Sequence, residues 1–487
     1  PRLPGRFQES STPLALAISL IWLVHPLQTE SVTYIIQRSE SLAGFFFFFT
    51  LYAFIRANAS GQKWLWFAAS VFSSALGMGT KSTVVTLPLL IFGYDAVFIS
   101  GDPKKAWQKH RLFYPVLAAT WLIQILLLSR TSYGDLTGLN PLAYLLTQAE
   151  VILHLLRLSF WPHPLCFDYG WPLMENIGAI IASLPAIAFL LWLTVRGLSK
   201  NPPLGFLGFW FFLILAPTSS IFPLEDAIAE HRIYLPLAAI VSLAVIAIFE
   251  LTGKIPPKTF RVWVRVAPAI VVVGILAILT RDRNLVYQHP LALWKDVVRQ
   301  RPGHARGHYN LGVELTRRGR KEEAVDYYQN ALALKPNYAD AHNNLGSVLA
   351  EEGDYYGAVN HFGRALKINP YFWQARFNMG TSFSRLGKDR EALVCFREVL
   401  RLKPGFAPAL YQAGQAALEL GKTETAILYY RKTLKIDPSY LDKILNRGVE
   451  LANRGRREEA IAVFETILRF QPDYALARQA LKIIEQQ

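Results

Sequence analysis

PGHARGHYNLGVELTRRGRKEEAVDYYQNALALKP, residues 302–336, opens a pattern that returns at one fixed step to the end of the chain. Proline stands at 302, 336, 370, 404, 438 and 472, and every interval is 34 residues. Four more columns keep that step: Gly312, Gly346, Gly380, Gly414 and Gly448; Gly319, Gly353, Gly387, Gly421 and Gly455; Ala324, Ala358, Ala392, Ala426 and Ala460; Tyr328, Phe362, Phe396, Tyr430 and Phe464. The small residues let the two helices of a unit approach closely, the ring fills the gap between them, and proline closes the second helix. Chance agreement of so many columns is negligible.

A step of 34 residues is that of the tetratricopeptide (TPR) repeat. Residues 303–472 then hold five repeats, 473–487 form the terminal capping helix that a stack needs, and 281–302 connect the stack to what precedes it through a helix near Leu291. The first helix of each repeat lines the concave groove. One column there reads Asn310, Asn344, Asn378, Gln412, Asn446. Carboxamides one repeat apart can donate to and accept from an extended peptide, and they can equally satisfy neighbouring groups of the solenoid. The repeat fold implies a protein partner and no more.

Upstream the chain changes character. Hydrophobic residues make up 52% of the 487 and charged residues only 18%, and the apolar share is concentrated before residue 280. A span needs roughly 20 mostly apolar residues. Such segments are read near 10–26, 41–57, 63–79, 82–99, 112–129, 176–195, 204–223, 233–252 and 265–280, with residues 1–280 as one transmembrane domain. The fold class is therefore all-α, a polytopic helical membrane domain followed by a TPR solenoid. Phe45 to Phe49 reads as lipid-facing bulk.

Connections between spans are of two kinds. One set is basic: Arg56 and Lys63; Lys104, Lys105, Lys109 and Arg111; Arg196 and Lys200; Lys254, Lys258, Arg261 and Arg265. The other is mixed or acidic: Glu30, Arg38 and Glu40; Lys81; Arg130 and Asp135; Asp168 and Glu175; Glu225, Asp226, Glu230 and Arg232. Lys and Arg gather on the cytoplasmic side, so the second set faces outward. Residues 141–161 are long enough to cross, but Glu150, His154 and Arg157 form one polar stripe, which suits a helix lying in the outer interface. The last span then delivers the repeats outside the cytoplasm, into periplasm or lumen.

The net charge of +15 does not point to nucleic acid, because basic residues alternate with Glu instead of clustering. The two cysteines, Cys166 and Cys395, sit in different domains, so no disulfide framework or metal-ligand spacing arises. The chain opens on Pro1, with a span almost at once, and is expected to begin partway through a longer protein.

Chemistry concentrates in the outward connections. The stretches are His25-Pro-Leu-Gln-Thr-Glu-Ser-Val with Gln37-Arg-Ser-Glu; Gly79-Thr-Lys-Ser with Thr86-Leu-Pro and Asp95; Glu225-Asp followed by Glu230-His-Arg-Ile-Tyr-Leu-Pro; and, more weakly, Trp161-Pro-His-Pro-Leu with Asp168-Tyr. Arg38, Lys81, His231 and Arg232 fall at one outer interface, where converging cations can hold a lipid phosphate. Carboxylates beside them can accept a proton from a hydroxyl. Taken singly, each residue also reads as an ion-paired or snorkelling side chain. Asp95 reads as a buried packing contact or an end cap.

These motifs, with Arg281-Asp-Arg-Asn, Trp294 and Tyr309-Asn-Leu-Gly at the joint, resemble the transmembrane-and-TPR-containing protein O-mannosyltransferases and their bacterial relatives. The resemblance runs along nearly the whole chain with the motif order kept. It implies a C-type glycosyltransferase membrane fold that moves a sugar from a polyprenyl-phosphate donor to Ser or Thr on the outer face. It implies that Arg38, Lys81 and Arg232 stabilise the departing lipid phosphate and that the TPR groove presents the acceptor polypeptide. No protein-bound cofactor or metal is implied. The family's acidic first outward loop, the source of its catalytic base, has no counterpart in this sequence, so the base stays unnamed among Glu30, Glu40 and Glu230. The setting expected is a bacterial inner membrane with the repeats on the periplasmic or lumenal side. The competing expectation is a non-catalytic, membrane-anchored TPR scaffold subunit of a larger complex. A transporter is disfavoured, since no pair of broken helices carries midplane charges.

Overall fold

The computed structural model describes residues 10–34, 38–130, 140–174, 176–220, 223, 224, 226–252 and 258–486, leaving aside the side chains of 128, 130, 258–262 and 485. Gln37, Asp135, Glu175, Glu225 and Lys254 lie outside the described residues. The protein is all-α, with no strand among the described residues, and divides into two compact units, 1–302 and 303–487.

The first unit runs α1 (Ser11–Leu23), a 3-10 turn (Pro26–Gln28) with the short α2 (Thr29–Thr33), α3 (Arg38–Ala59) and α4 (Lys63–Met78). A second 3-10 turn (Ser82–Thr86) leads into α5 (Leu87–Tyr94), which a π turn (Asp95–Ile99) extends. Then come α6 (Pro103–Lys109), α7 (Phe113–Ala118), α8 (Trp121–Arg130), α9 (Pro141–Phe160), α10 (Ile177–Lys200) and α11 (Pro202–Leu215). A third 3-10 turn (Glu230–Ile233), α12 (Leu237–Leu251), α13 (Lys258–Gln288) and α14 (Pro290–Gln300) complete it.

Among the described residues four helices, Arg38–Ala59, Ser82–Ile99, Ile177–Lys200 and Trp263–Gln288, are long and apolar enough to cross a bilayer. Two bent pairs also qualify if each is one span: Ser11–Leu23 with Pro26–Thr33, at 58°, and Pro103–Lys109 with Phe113–Leu127, at 89°. Pro202–Leu215 and Leu237–Leu251 are shorter and apolar.

Packing follows helical phase. On α3 the residues turned inward are Glu40, Ala43, Gly44, Phe47, Thr50, Ala53, Phe54 and Ala57, one or two per turn. This corrects the reading of Phe45 to Phe49 as lipid-facing throughout. Phe45 and Phe49 are exposed, but Phe47 is fully buried and meets Trp210 edge-on at 5.4 Å, while Phe48 stacks on the same ring at 5.9 Å. Gly44 leaves room for Tyr234: a Cβ there would lie 2.6 Å from its ring. Asp95 is fully buried and accepts hydrogen bonds from Ser100 at 2.7 Å, His110 at 2.6 Å and the Tyr114 hydroxyl, which binds the ends of α5, α6 and α7 together.

The second unit is five helix pairs, Ala305–Arg317 with Lys321–Leu334, Ala339–Glu351 with Tyr355–Ile368, Trp373–Arg385 with Asp389–Leu402, Ala407–Glu419 with Thr423–Ile436, and Leu441–Asn453 with Arg457–Phe470, closed by Ala475–Gln486. The two glycine columns answer different needs. A Cβ on Gly346 would lie 2.9 Å from the Phe362 ring, so the first column admits the aromatic. Gly353 has φ +91° with open space around it, so the second makes the left-handed turn between helices. The Ala column and the ring column are buried. The last helix covers the final pair with Ala477, Leu481 and Ile484.

Gly346→Val is expected to cost about 1–3 kcal/mol through overpacking. Gly353→Ala is expected to cost about 1–2 kcal/mol through backbone strain alone. Thermal melts of the purified chain followed by far-ultraviolet circular dichroism check both, and a neutral Gly346→Val would contradict the packing account.

Candidate functional site

Several of the polar residues flagged in the sequence meet around the 3-10 turn Glu230–Ile233 of the first unit. Residues 25–33 lie on one side of it. There His25 is buried, its Nδ1 accepting from the Leu27 N–H at 3.2 Å and its Nε2 lying 3.1 Å from the Ser159 carbonyl at the end of α9. α13 ties the same segment down: the Thr280 hydroxyl donates to the Val24 carbonyl at 2.7 Å, and the Thr33 hydroxyl to Asn284 at 2.7 Å.

Glu30 projects from α2 onto the turn. One carboxylate oxygen accepts the His231 backbone N–H at 3.0 Å and the other faces His231 Nδ1 at 2.7 Å. Glu230 is 1% exposed. Its Oε1 accepts from the Cys166 backbone N–H at 2.7 Å and from the Tyr169 hydroxyl at 2.8 Å, and Arg283 lies 3.9 Å from Oε2. Burial pushes the Glu230 carboxyl up to about 7, against the pull of Arg283 and with a further push from Glu30. Burial likewise pushes the Cys166 thiol up to about 12, which leaves it a protonated core residue.

Lys81 pairs with Glu40 at 3.0 Å, the lysine 27% exposed and the carboxylate buried. Arg38 is exposed on the first turn of α3, two residues before Glu40. The Ser41 hydroxyl donates to the Ser31 carbonyl at 2.8 Å, and Tyr234, just past the 3-10 turn, lies over Gly44 with the Glu40 charge acting on it. The pairs Lys81–Glu40 and His231–Glu30 are thereby neighbours across Tyr234.

Arg232 points elsewhere. It is buried, and its guanidinium donates to the carbonyls of Ala227 at 2.9 Å, Asp226 at 2.5 Å and Thr218 at 3.4 Å and to the Tyr144 hydroxyl at 3.2 Å. Those bonds hold the connection between α11 and the turn against α9. The structure thus pairs Lys81 with Glu40 and His231 with Glu30, buries Glu230 on the same turn as His231, leaves Arg38 exposed on α3, and commits Arg232 to the connection after α11 and to Tyr144.

The first unit also holds an apolar groove of about 550 Å³, lined by Ile18, Trp22, Phe48, Tyr94, Phe206 and Trp210 among others. None of the four cations lines it. Trp22 joins the groove to Tyr234: its ring lies 5.1 Å from that of Tyr234 and its indole N–H donates to the Tyr234 carbonyl at 3.0 Å.

In the second unit, Asn344 donates to the Tyr309 hydroxyl at 3.2 Å, and Asn378 donates to Asn343 at 3.3 Å and Ser347 at 3.2 Å. Each of these carboxamides reaches back to the preceding repeat. Asn310 and Gln412 are half-buried and Asn446 is exposed.

Sequence reasoning quoted Arg283 within the joint motif without giving it a role and missed Asp296, its buried partner at 2.9 Å. The signal was there in Arg281-Asp-Arg-Asn, where charge appears at the end of an apolar helix. Among the described residues no group of three or more His, Cys, Asp or Glu is placed to hold a metal.

Family models for the TPR repeat match residues 314–353, and models for the tetratricopeptide repeat match 339–372 and 377–440. The mouse protein O-mannosyl-transferase TMTC4 is 24% identical over 371 residues, 65% of this chain and 48% of its own. A Caenorhabditis elegans protein O-mannosyl-transferase is 26% identical over 344 residues, 66% of this chain and 46% of its own. The chain spans about half the length of the curated relatives it matches. Among solved structures, YrrB, a TPR protein with an unusual peptide-binding site, is 24% identical, with 39% of this chain and 97% of its own covered and a TM-score of 0.34. Sequence along two thirds of its length, an apolar helical first unit and a repeat solenoid relate the chain to the transmembrane-and-TPR-containing protein O-mannosyltransferases.

Proposed function

We propose that the protein is a membrane glycosyltransferase that moves a sugar from a polyprenyl-phosphate donor to a Ser or Thr hydroxyl of a polypeptide held by the repeats. The observation that carries this is Trp22, which lines an apolar groove of about 550 Å³ and also packs on Tyr234, the residue that follows the Glu230–Ile233 turn and lies over Gly44 of α3. An isoprenoid chain suits the groove, and its phosphate suits Lys81 and Arg38 at the top.

In that reading the acceptor oxygen attacks the sugar carbon that bears the phosphate. The carbon–oxygen bond to the phosphate breaks, and the proton of the hydroxyl passes to a carboxylate. Lys81 and Arg38 stabilise the charge that grows on the departing phosphate. Of the three candidate carboxylates, Glu30 gives both oxygens to His231 and Glu230 is enclosed, whereas Glu40 sits beside the partly exposed Lys81. Glu40 is the best placed of the three, and Glu30, through His231, supports the turn. Arg232 serves by fixing the turn, not by touching phosphate. The groove column from Asn310 to Asn446 would face the acceptor with those amides that the solenoid does not itself engage.

One observation favours a second reading. Glu30 and Glu230 spend their oxygens on internal bonds, as expected of a scaffold whose polar layer only holds helices together.

Purified chain in detergent, supplied with polyprenyl-phosphate mannose and a Ser/Thr-rich peptide, separates the two. Transfer is expected, and Lys81→Met is expected to slow it on the order of a hundredfold without loss of membrane insertion. Full activity of that variant would remove Lys81 from the chemistry, and no transfer by the parent chain would favour the scaffold. Arg232→Met is expected to lower the melting temperature, because three carbonyls lose a donor at about 1–3 kcal/mol each where buried. A variant as stable as the parent would contradict that.

The proposal also sets sidedness, with the repeats on the non-cytoplasmic face. Single cysteines replacing Lys109 and Lys367 are expected to react with an impermeant maleimide from opposite sides of sealed vesicles. Labelling of both from one side would break the donor-and-acceptor scheme.

A further inference from the structure

Four polar residues of α13 and α14 have no part in the chemistry above, yet they close a ring onto Glu230. The Leu165–Cys166 peptide is its first member. Its N–H donates to Glu230 at 2.7 Å and its carbonyl accepts from Gln300 at 2.7 Å. The Gln300 amide also donates to Asp296 Oδ2 at 2.8 Å. The same oxygen accepts from Arg283 Nη1 at 2.9 Å, and Arg283 Nη2 faces Glu230 Oε2 across 3.9 Å. Arg299 holds the other oxygen of Asp296 at 2.5 Å. Arg283, Asp296 and Glu230 are all buried, and Trp294 of the same helix packs edge-on against Phe167 at 5.5 Å. A helix this firmly seated places its one buried acid with little freedom.

We infer that Arg283 and Asp296 are positioning residues for the proposed transfer, and this rests on that proposal: α14 sets Asp296 so that Arg283 is shared between two carboxylates, and the sharing holds Glu230 and the turn that carries His231. A buried arginine given wholly to one carboxylate would pull that carboxylate onto itself. Here Asp296 takes the hydrogen bond, and Glu230 is left at the longer distance, free to keep Cys166 and Tyr169. The charged and titratable groups facing Glu230 are Arg283 and Tyr287 from α13, Cys166 and Tyr169 from the loop, and Glu30 from α2. Asp296 therefore acts on Glu230 through Arg283.

The signs of two substitutions oppose each other. Asp296→Asn leaves the Arg283 charge to Glu230 alone and makes Glu230 ionise at lower pH. Arg283→Gln removes the cation that faces it and makes it ionise at higher pH. Since burial pushes the Glu230 carboxyl up to about 7, both shifts fall in an accessible range. Infrared difference titration of the full chain, with the Glu230 carboxyl band assigned by its loss in Glu230→Gln, is expected to show a fall of about one unit in the first variant and a rise of similar size in the second. The pH–rate profile of transfer is expected to move with Asp296→Asn while the donor KM does not. A midpoint unmoved by Asp296→Asn, or moved the same way by both variants, would overturn the inference whether or not transfer occurs. The two opposite shifts in a parent chain without transfer would overturn the proposed reaction and leave the charge sharing standing.

Discussion

A carboxylate taken out of water needs donors in its place, and Glu230 is such a carboxylate, buried on the turn between α11 and α12. It sits on a four-residue turn with no long helix to stabilise it. A peptide N–H, a tyrosine hydroxyl and an arginine converge on it from a loop and from α13. Glu30 grips the next residue from the other side. Because these partners come from segments far apart in sequence, satisfying one buried charge brings the outward connections into register. Tyr234, Trp22 and the apolar groove follow from that register, since Tyr234 is only four residues beyond Glu230.

The second unit depends on a different kind of constraint. Its bonds are mostly local, its buried residues are small side chains facing rings, and each pair meets its neighbour through the same columns. No single contact carries it. That contrast explains how differently the two units could be read. The repeats were legible because periodicity converts one packing solution into five copies. The helical class and the spans' composition were legible because the bilayer filters residues by polarity over long windows.

The site was legible only in part. His231 and Glu30, and Lys81 and Glu40, were flagged as outward charges, but residue type does not say which way a side chain turns. Arg232 has the chemistry of a phosphate ligand, and it spends its donors on three carbonyls of the connection that leads to it. Asn344 and Asn378 have the chemistry of peptide ligands and bond back across the repeats. Both outcomes turn on unsatisfied backbone or neighbouring groups, which have no sequence signature of their own. The pairing of Arg283 with Asp296 escaped notice because they meet across the break between two helices, where neither a helical nor a repeat period connects them. Phe47 was misjudged because a run of five phenylalanines hides the phase that turns one of them inward.

The central claim is that Lys81 and Arg38 form the head of a site whose body is the apolar groove. Native mass spectrometry of the purified chain with polyprenyl phosphate and with the matching polyprenol tests it without requiring catalysis. The phosphate is expected to bind about tenfold tighter or more, the advantage disappearing when Lys81 and Arg38 are both replaced by glutamine. Equal affinity for the two lipids in the parent chain would contradict the account.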